Sequence, residues 1–427
     1  MVPEEATGAF VPAWDRARYH LEGVGSLYVH VPFCRSKCAY CDFASGATRA
    51  DDPLPAAYAR AIARQLREVE ETGLFEPCRT GYLGGGTPSL LGAALPPLVR
   101  AVAPHAPTEL SFEANPDSLS PDLLERVREA GATRVSIGVQ STSASELVAL
   151  GRIHGPERAL EALREAVASG LRVSCDLMCA TPRQTGASWE RSLRYVLASG
   201  VSHVSVYPLA IEEGTAFWRR YGEEEPEFNA SDVQADRMEA AEATLTRSGL
   251  RRYEVASYAV PGQECLHNVS YWTGTPYLGF GTSAASMLTR EGYLALRGVA
   301  PQLPAPGDDV ARARVTVMST ARQIVADPAL GSLRLSVEFL DLRQAVAEDL
   351  MLSARLAAGI PGGLLGLARE AAPASQVDAV VSRACDEGLA TLEGGRLVPT
   401  HSGWLMGNEL YGELWGLAEG TIDTRTC

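Results

Sequence analysis

Residues 28–43 read Y-V-H-V-P-F-C-R-S-K-C-A-Y-C-D-F and set Cys34, Cys38 and Cys41 in the spacing C-x3-C-x2-C. The alternating run 26–31 just before them predicts a β-strand, so all three thiols fall on the loop at its C-terminal end. The chain has nine cysteines, an odd number, and residues 1–25 carry no apolar signal core, which argues against a disulfide framework. Structural zinc asks for a fourth nearby Cys or His, and His30 is the one close candidate, lying before the cysteines on the strand. Packed cysteines, zinc and an iron–sulfur cluster are the three readings; crowding this tight favours a four-iron four-sulfur cluster. A cube held by three thiolates keeps one iron open for another ligand.

Outward from this loop, short apolar runs alternate with helix-length amphipathic segments. Strands are predicted at 26–31, 80–83, 109–113, 134–139, 172–177 and 203–207, and helices at 56–72, 90–103, 121–130, 157–169 and 188–199. Gly131, Gly170 and Gly200 stand where helices should stop. Regular strand–helix alternation means parallel strands with right-handed crossovers, so the fold class is α/β, a partial (β/α)6 barrel. The expected domains are an N-terminal extension 1–25, the barrel 26–300, a linker region 301–335 opening with proline-rich residues 301–306, and a C-terminal domain 336–427. In that last domain helical patterns at 346–358 and 377–387 precede a hairpin signal at 389–400, which together resemble a winged helix.

Ligand sites of such barrels form at the C-terminal ends of the strands. The second strand runs into Gly84, Gly85, Gly86 and Thr87; the third ends on Glu113 and the fourth on Gln140, with Arg152 in the following loop; the fifth carries Asp176. One polar residue at a loop is ordinarily solvated surface. Four at consecutive strand ends, beside three clustered cysteines, point to a shared site.

Farther on, an acidic loop at 212–227 and a helix at 232–248 lead to a strand-like run at 253–258 and then to C-L-H-N-V-S-Y-W at 265–272. On residue types alone His267, Asn268, Tyr271 and Trp272 read either as an aromatic packing corner or as a porphyrin-facing surface. Residues 277–286 are rich in small side chains and are expected to form a close-packed turn lining the pocket.

The cysteine motif on the loop after a first strand resembles the radical S-adenosylmethionine (SAM) superfamily, and the glycine-rich segment after Tyr82 and Leu83 resembles its SAM-contacting stretch. Matching residue by residue implies SAM contacts from Tyr28, Tyr40, Gly85, Gly86, Thr87, Glu113, Gln140, Arg152 and Asp176, a [4Fe-4S] cluster on Cys34, Cys38 and Cys41, and reductive cleavage of SAM to a 5′-deoxyadenosyl radical. Within the superfamily the chain is similar to the oxygen-independent coproporphyrinogen oxidases and the HemW-type heme chaperones. Phe43 stands where the oxidases carry a fourth cysteine, and H-N-x-x-Y-W is similar to a heme-binding signature of the chaperones. The resemblance thus implies a chaperone carrying heme or a related porphyrin, with His267, Asn268, Tyr271 and Trp272 at the heme. Its expected partners are a heme-recipient protein, an electron donor for the cluster and, through the recipient, the membrane periphery.

The alternative is an enzyme, either an oxygen-independent coproporphyrinogen III oxidase of porphyrin biosynthesis or a radical SAM methyltransferase. Two departures bear on the choice: residues 177–185 read L-M-C-A-T-P-R-Q-T where relatives have a Tyr-Gly-Leu-Pro-Gly-Gln-Thr type stretch, and Ala285 stands where many carry His. A net charge of −14 argues against a nucleic-acid partner, and no apolar run reaches the roughly 20 residues of a membrane span. The expected setting is cytoplasmic.

Overall fold

The computed structural model describes residues 14–222, 226–419 and 422–427. Residues 1–13 of the expected extension and 223–225 of the acidic loop lie outside that set. Six parallel strands form the centre: β1 (Ser26–Val31), β2 (Thr80–Gly85), β3 (Glu109–Ala114), β4 (Arg134–Gln140), β5 (Arg172–Cys179) and β6 (His203–Pro208), each paired with the next in order. The register brings their C-terminal ends together: Val31 lies beside Gly85, and Asp176 beside Gly138. Each crossover is helical, as the alternation requires. The helix Leu54–Glu70 shows why: Tyr58, Ile62, Leu66 and Val69 recur at helical spacing and are buried against the sheet, while its opposite face is charged. Gly170 and Gly200 end helices at φ of +82° and +81°, a conformation that side chains with a Cβ resist.

The sheet continues beyond the barrel on both sides. On one side β8 (Ser257–Ala259) adds antiparallel to β6 and the edge strand β7 (Arg251–Arg252) adds antiparallel to β8, so the strand expected at 253–258 occupies only its last part. On the other side β9 (Tyr277–Phe280) pairs parallel with β1, and β10 (Ala285–Thr289), β11 (Val310–Val317), β12 (Leu335–Asp341) and β13 (Asp423–Thr426) follow antiparallel. The small-residue segment 277–286 is therefore largely strand. Its glycines serve close packing: a Cβ on Gly279 would fall on the Ala285 backbone. Within 301–335 the sequence forms β11 and the helix Ala321–Ala326.

The C-terminal region is helical with one hairpin. Helices Leu342–Ser353, Gly362–Ala371 and Ala374–Asp386 precede the strands Ala390–Glu393 and Arg396–Pro399, and helices His401–Leu405 and Gly407–Trp415 follow. It has its own apolar core, which also takes in Tyr19 from the N-terminal side. Among the described residues no helix is long and apolar enough to cross a membrane.

Candidate functional site

At the C-terminal ends of β1 to β6 lies a cavity of about 400 Å3. That volume suits a small-molecule ligand. Its walls include Cys34, Cys38, Cys41, Tyr40, Gly85, Gly86, Thr87, Glu113, Gln140, Arg152 and Asp176. The twelve sequence-derived candidates for cluster and SAM are Tyr28 and these eleven; only Tyr28 is absent from the wall. Tyr28 is stacked on Tyr82 at 6.5 Å, with its hydroxyl 3.0 Å from His30 Nδ1.

The cysteine loop is held from several sides. Ala39 N donates to Leu150 O at 3.0 Å, Phe217 N donates to Ala39 O at 2.9 Å, and Lys37 Nζ donates to Phe43 O at 2.6 Å. Gly86 N and Thr87 N donate to Val31 O and Phe33 O, both at 2.8 Å, which ties the glycine segment to the backbone entering the cysteines. A Cβ on Gly86 would lie 2.7 Å from Phe33 O and 2.8 Å from Val31 O, so only glycine fits there.

All nine cysteines are unbridged. Both ring nitrogens of His30 are engaged, Nδ1 with the Tyr28 hydroxyl and Nε2 with Ala44 O at 3.0 Å, so no imidazole completes a four-ligand set in the loop. Among the described residues no three His, Cys, Asp or Glu side chains converge as a single ion would need. Three free thiols spread around one cavity match the donor set of a multi-iron cluster instead.

Two carboxyl groups face each other's field across the cavity. Glu113 accepts from Tyr82 Oη and Gly85 N, each at 3.0 Å; burial first and the charge of Asp176 second push its pKa up to about 7. Asp176 accepts from Ser136 Oγ at 3.0 Å, and burial raises it to about 6. Gln140 adopts φ of +67° where the β4–β5 register slips, a strained backbone that re-aims its amide into the cavity wall. Arg152 donates to Gly138 O at 2.6 Å, Asn115 Oδ1 at 2.7 Å and Cys38 Sγ at 3.4 Å.

Sequence reasoning passed over Asn115, Ser136, Met178 and Tyr207, which also line the cavity. A usable signal existed for three of them: side chains two apart on a strand share a face, and Asn115 follows Glu113, Met178 follows Asp176, and Ser136 precedes Gly138. The same alternation settles Cys179, which is fully buried in the core rather than in the cavity. Ala285, at the start of β10, does not line the cavity either. Phe43 does, and it is 57% exposed.

The remaining candidates sit elsewhere. His267, Asn268, Tyr271 and Trp272 belong to the helix Leu266–Trp272, which caps the N-terminal ends of the strands. His267 Nδ1 is 2.8 Å from the hydroxyl of Ser26, the first residue of β1, and its ring stacks on Tyr82 at 4.9 Å. Its backbone N donates to Glu109, the first residue of β3, and Glu109 is paired with buried Arg134 at 3.1 Å. Six-residue strands put this helix roughly 20 Å from the cysteine loop. Burial alone depresses His267 to about 3, so the ring is neutral. Asn268 Oδ1 contacts Cys265 Sγ at 3.4 Å. Tyr271 is 40% exposed and lies edge-on to half-buried Trp272, with ring centres 5.8 Å apart.

Comparison with known proteins agrees with this architecture. Residues 28–196 match the radical SAM superfamily model. The heme chaperone HemW of Mycobacterium tuberculosis is 36% identical over 403 residues, spanning 91% of this chain and 94% of its own length. HemW of Escherichia coli is 37% identical over 270 residues, 62% of this chain and 70% of its own. Among solved structures, the radical SAM enzyme coproporphyrinogen III oxidase (HemN) of Escherichia coli superposes with a TM-score of 0.71 at 20% identity, covering 93% of this chain and 92% of its own, a likeness of fold. With the cysteine motif, the strand-end residues and a relative matching nearly end to end, this chain belongs to the HemW family of radical SAM proteins.

Proposed function

We propose that this protein is a heme chaperone of the HemW type, which binds a [4Fe-4S] cluster, SAM and heme and passes the heme to a recipient protein. The observation that carries the reading is the nearly full-length match to a protein named heme chaperone HemW. Geometry supports a carrier over a converter: the candidate heme residues lie at the opposite end of the barrel from the cysteine cavity, whereas a porphyrin substrate would have to enter that cavity.

In this reading Cys34, Cys38 and Cys41 ligate the cluster as thiolates. Gly85, Gly86, Thr87, Glu113, Gln140, Arg152, Asp176 and Tyr40, from the walls, surround SAM, with Tyr28 packed behind them on Tyr82. Together the cluster and SAM supply one-electron reductive chemistry, with an electron donor as the further partner. The chain's own part is to position and shield. Arg152 presents a fixed cation, Glu113 and Asp176 accept hydrogen bonds, and the glycine backbone lets a ligand approach closely. At the far end, exposed Tyr271 and half-buried Trp272 offer flat apolar surface to a porphyrin. His267 is held by Ser26 and Tyr82, so it reaches an iron only if its helix moves. No nucleic acid enters this function; the cytoplasm is the proposed setting, with the membrane met only through the recipient.

The test is anaerobic reconstitution with iron and sulfide followed by heme titration, read by absorbance, on wild type, Tyr271→Ala, Trp272→Ala and His267→Ala. The two aromatic variants should still take up the cluster and bind heme at least tenfold more weakly. His267→Ala should also lose stability, by about 2–3 kcal/mol, through a cavity and a broken buried hydrogen bond. A protein that takes up cluster and SAM but binds no heme specifically would overturn the chaperone reading and turn attention to porphyrinogen or methyl-acceptor turnover.

A further inference from the structure

Asn115 leaves the end of β3 between the two elements that touch the cysteine sulfurs. Its Oδ1 accepts from Arg152 Nη2 at 2.7 Å, and its Nδ2 donates to Thr87 Oγ1 at 3.1 Å. Those two partners reach sulfur: Arg152 Nη1 donates to Cys38 Sγ at 3.4 Å, and Thr87 Oγ1 donates to Cys34 Sγ at 3.6 Å, distances that suit the larger radius of sulfur. The cysteine sulfurs here stand for the thiolates of a loaded cluster.

The direction of every proton in this chain follows from one fact. A guanidinium can only donate, so the atom of Asn115 facing Arg152 must be the amide oxygen. The amide NH2 is then turned to Thr87, whose oxygen accepts it. The single hydroxyl proton of Thr87 is left for the sulfur of Cys34. Thr87 is 2% exposed, so bulk water does not compete for that proton.

We propose that Asn115 is a positioning residue that orients two hydrogen-bond donors, the Thr87 hydroxyl and the Arg152 guanidinium, onto two of the three cluster thiolates and thereby raises the cluster's reduction potential. Reduction adds one electron, supplied by an external one-electron donor, to a centre that is already anionic. Donors and a fixed positive charge at the sulfurs stabilise that more negative state, and hydrogen bonds to the sulfurs are among the factors that set such potentials. The proposal rests on the cluster reading above. Asn115 does not itself touch sulfur; its effect passes through Thr87 and Arg152.

The experiment compares wild type, Thr87→Ser, Thr87→Val, Asn115→Leu and the Thr87→Val/Asn115→Leu double variant. Each is reconstituted anaerobically, assayed for iron and sulfide, and titrated with dithionite without SAM, the reduced cluster being followed by electron paramagnetic resonance. Thr87→Ser keeps the hydroxyl and should keep the wild-type midpoint. Thr87→Val and Asn115→Leu should each lower the ratio of reduced to oxidised cluster at a fixed potential by about tenfold, ~59 mV for one electron. The double variant should shift by less than the sum, because both changes disable the same Thr87 donor and only Asn115→Leu also releases Arg152. Unchanged midpoints in fully loaded variants, or strictly additive shifts, overturn the proposal. If Asn115→Leu loads poorly, the comparison of Thr87→Val with Thr87→Ser still decides whether the hydroxyl acts on the cluster. A wild type that incorporates no iron overturns the cluster reading itself.

Discussion

Glu113 concentrates the chemistry of the cavity in one side chain. In the unfolded chain its carboxyl titrates near its ordinary value of 4.5, and in the folded protein near 7, because burial and the Asp176 charge oppose ionisation. Between those values the folded state binds the extra proton, so the stability this group contributes is fully present below about pH 4.5 and is lost as pH rises through 7. The loss is on the order of 3 kcal/mol. Glu113→Gln should therefore flatten the fall of the thermal midpoint of the ligand-free protein between pH 5 and 7.5, measured by circular dichroism. A remainder should persist from Asp176, which titrates near 6. An unaltered pH profile in the variant would assign that fall to other groups. That Glu113 is the carboxylate at a strand end was legible in the sequence; that Tyr82, Gly85 and Asp176 set its proton affinity was not, because they come from other strands.

At the scale of elements, the junction of β1 with the loop after β2 decides where Cys34 stands. Two backbone hydrogen bonds of 2.8 Å clamp Gly86 and Thr87 to Val31 and Phe33. A methyl group at position 86 would press on those same carbonyls. Gly86→Ala should cost about 1–3 kcal/mol of stability and reduce iron incorporation on reconstitution, with helix content unchanged. Full iron loading in that variant would show that the loop adapts without moving the cysteine. The strands and helices here follow the hydrophobic period of the sequence closely: each of the six parallel strands begins where the alternation begins. The segment 277–286 was harder to read, since its small residues pack against a neighbouring backbone and carry no sharp apolar signature.

Over the whole molecule, Asp349 is the point where the N-terminal segment, the sheet extension and the C-terminal helices meet. It is fully buried, accepts from Tyr19 Oη at 2.7 Å and pairs with Arg312 at 2.8 Å, while Arg18 lies 3.7 Å away and donates to Thr273 O at 2.6 Å. Removing one partner of such a network leaves uncompensated buried charge. Asp349→Ala should cost about 3–5 kcal/mol and split thermal unfolding, followed by calorimetry, into separate transitions for barrel and C-terminal region. A single transition at the wild-type midpoint would show that the two apolar cores stay joined without this network. Nothing in the charge pattern pairs Arg18 with Asp349, because 331 positions separate them and only the folded sheet brings them together.

By itself the sequence determined the local matters: the three cysteines and their spacing, the alternation of strands and helices, and the polar residues at strand ends. Each depends on near neighbours along the chain, through hydrophobic period and the geometry of a short loop. The tertiary structure alone decided which strand ends share a wall, why His30 completes no ligand set, and where the H-N-x-x-Y-W segment lies. His267 could be read as a ligand from its aromatic neighbours in sequence, yet Ser26, Tyr82 and Glu109 anchor its helix at the closed end of the barrel. Those contacts span 158 positions or more, and long-range packing of that kind leaves no periodic trace in the residues it joins.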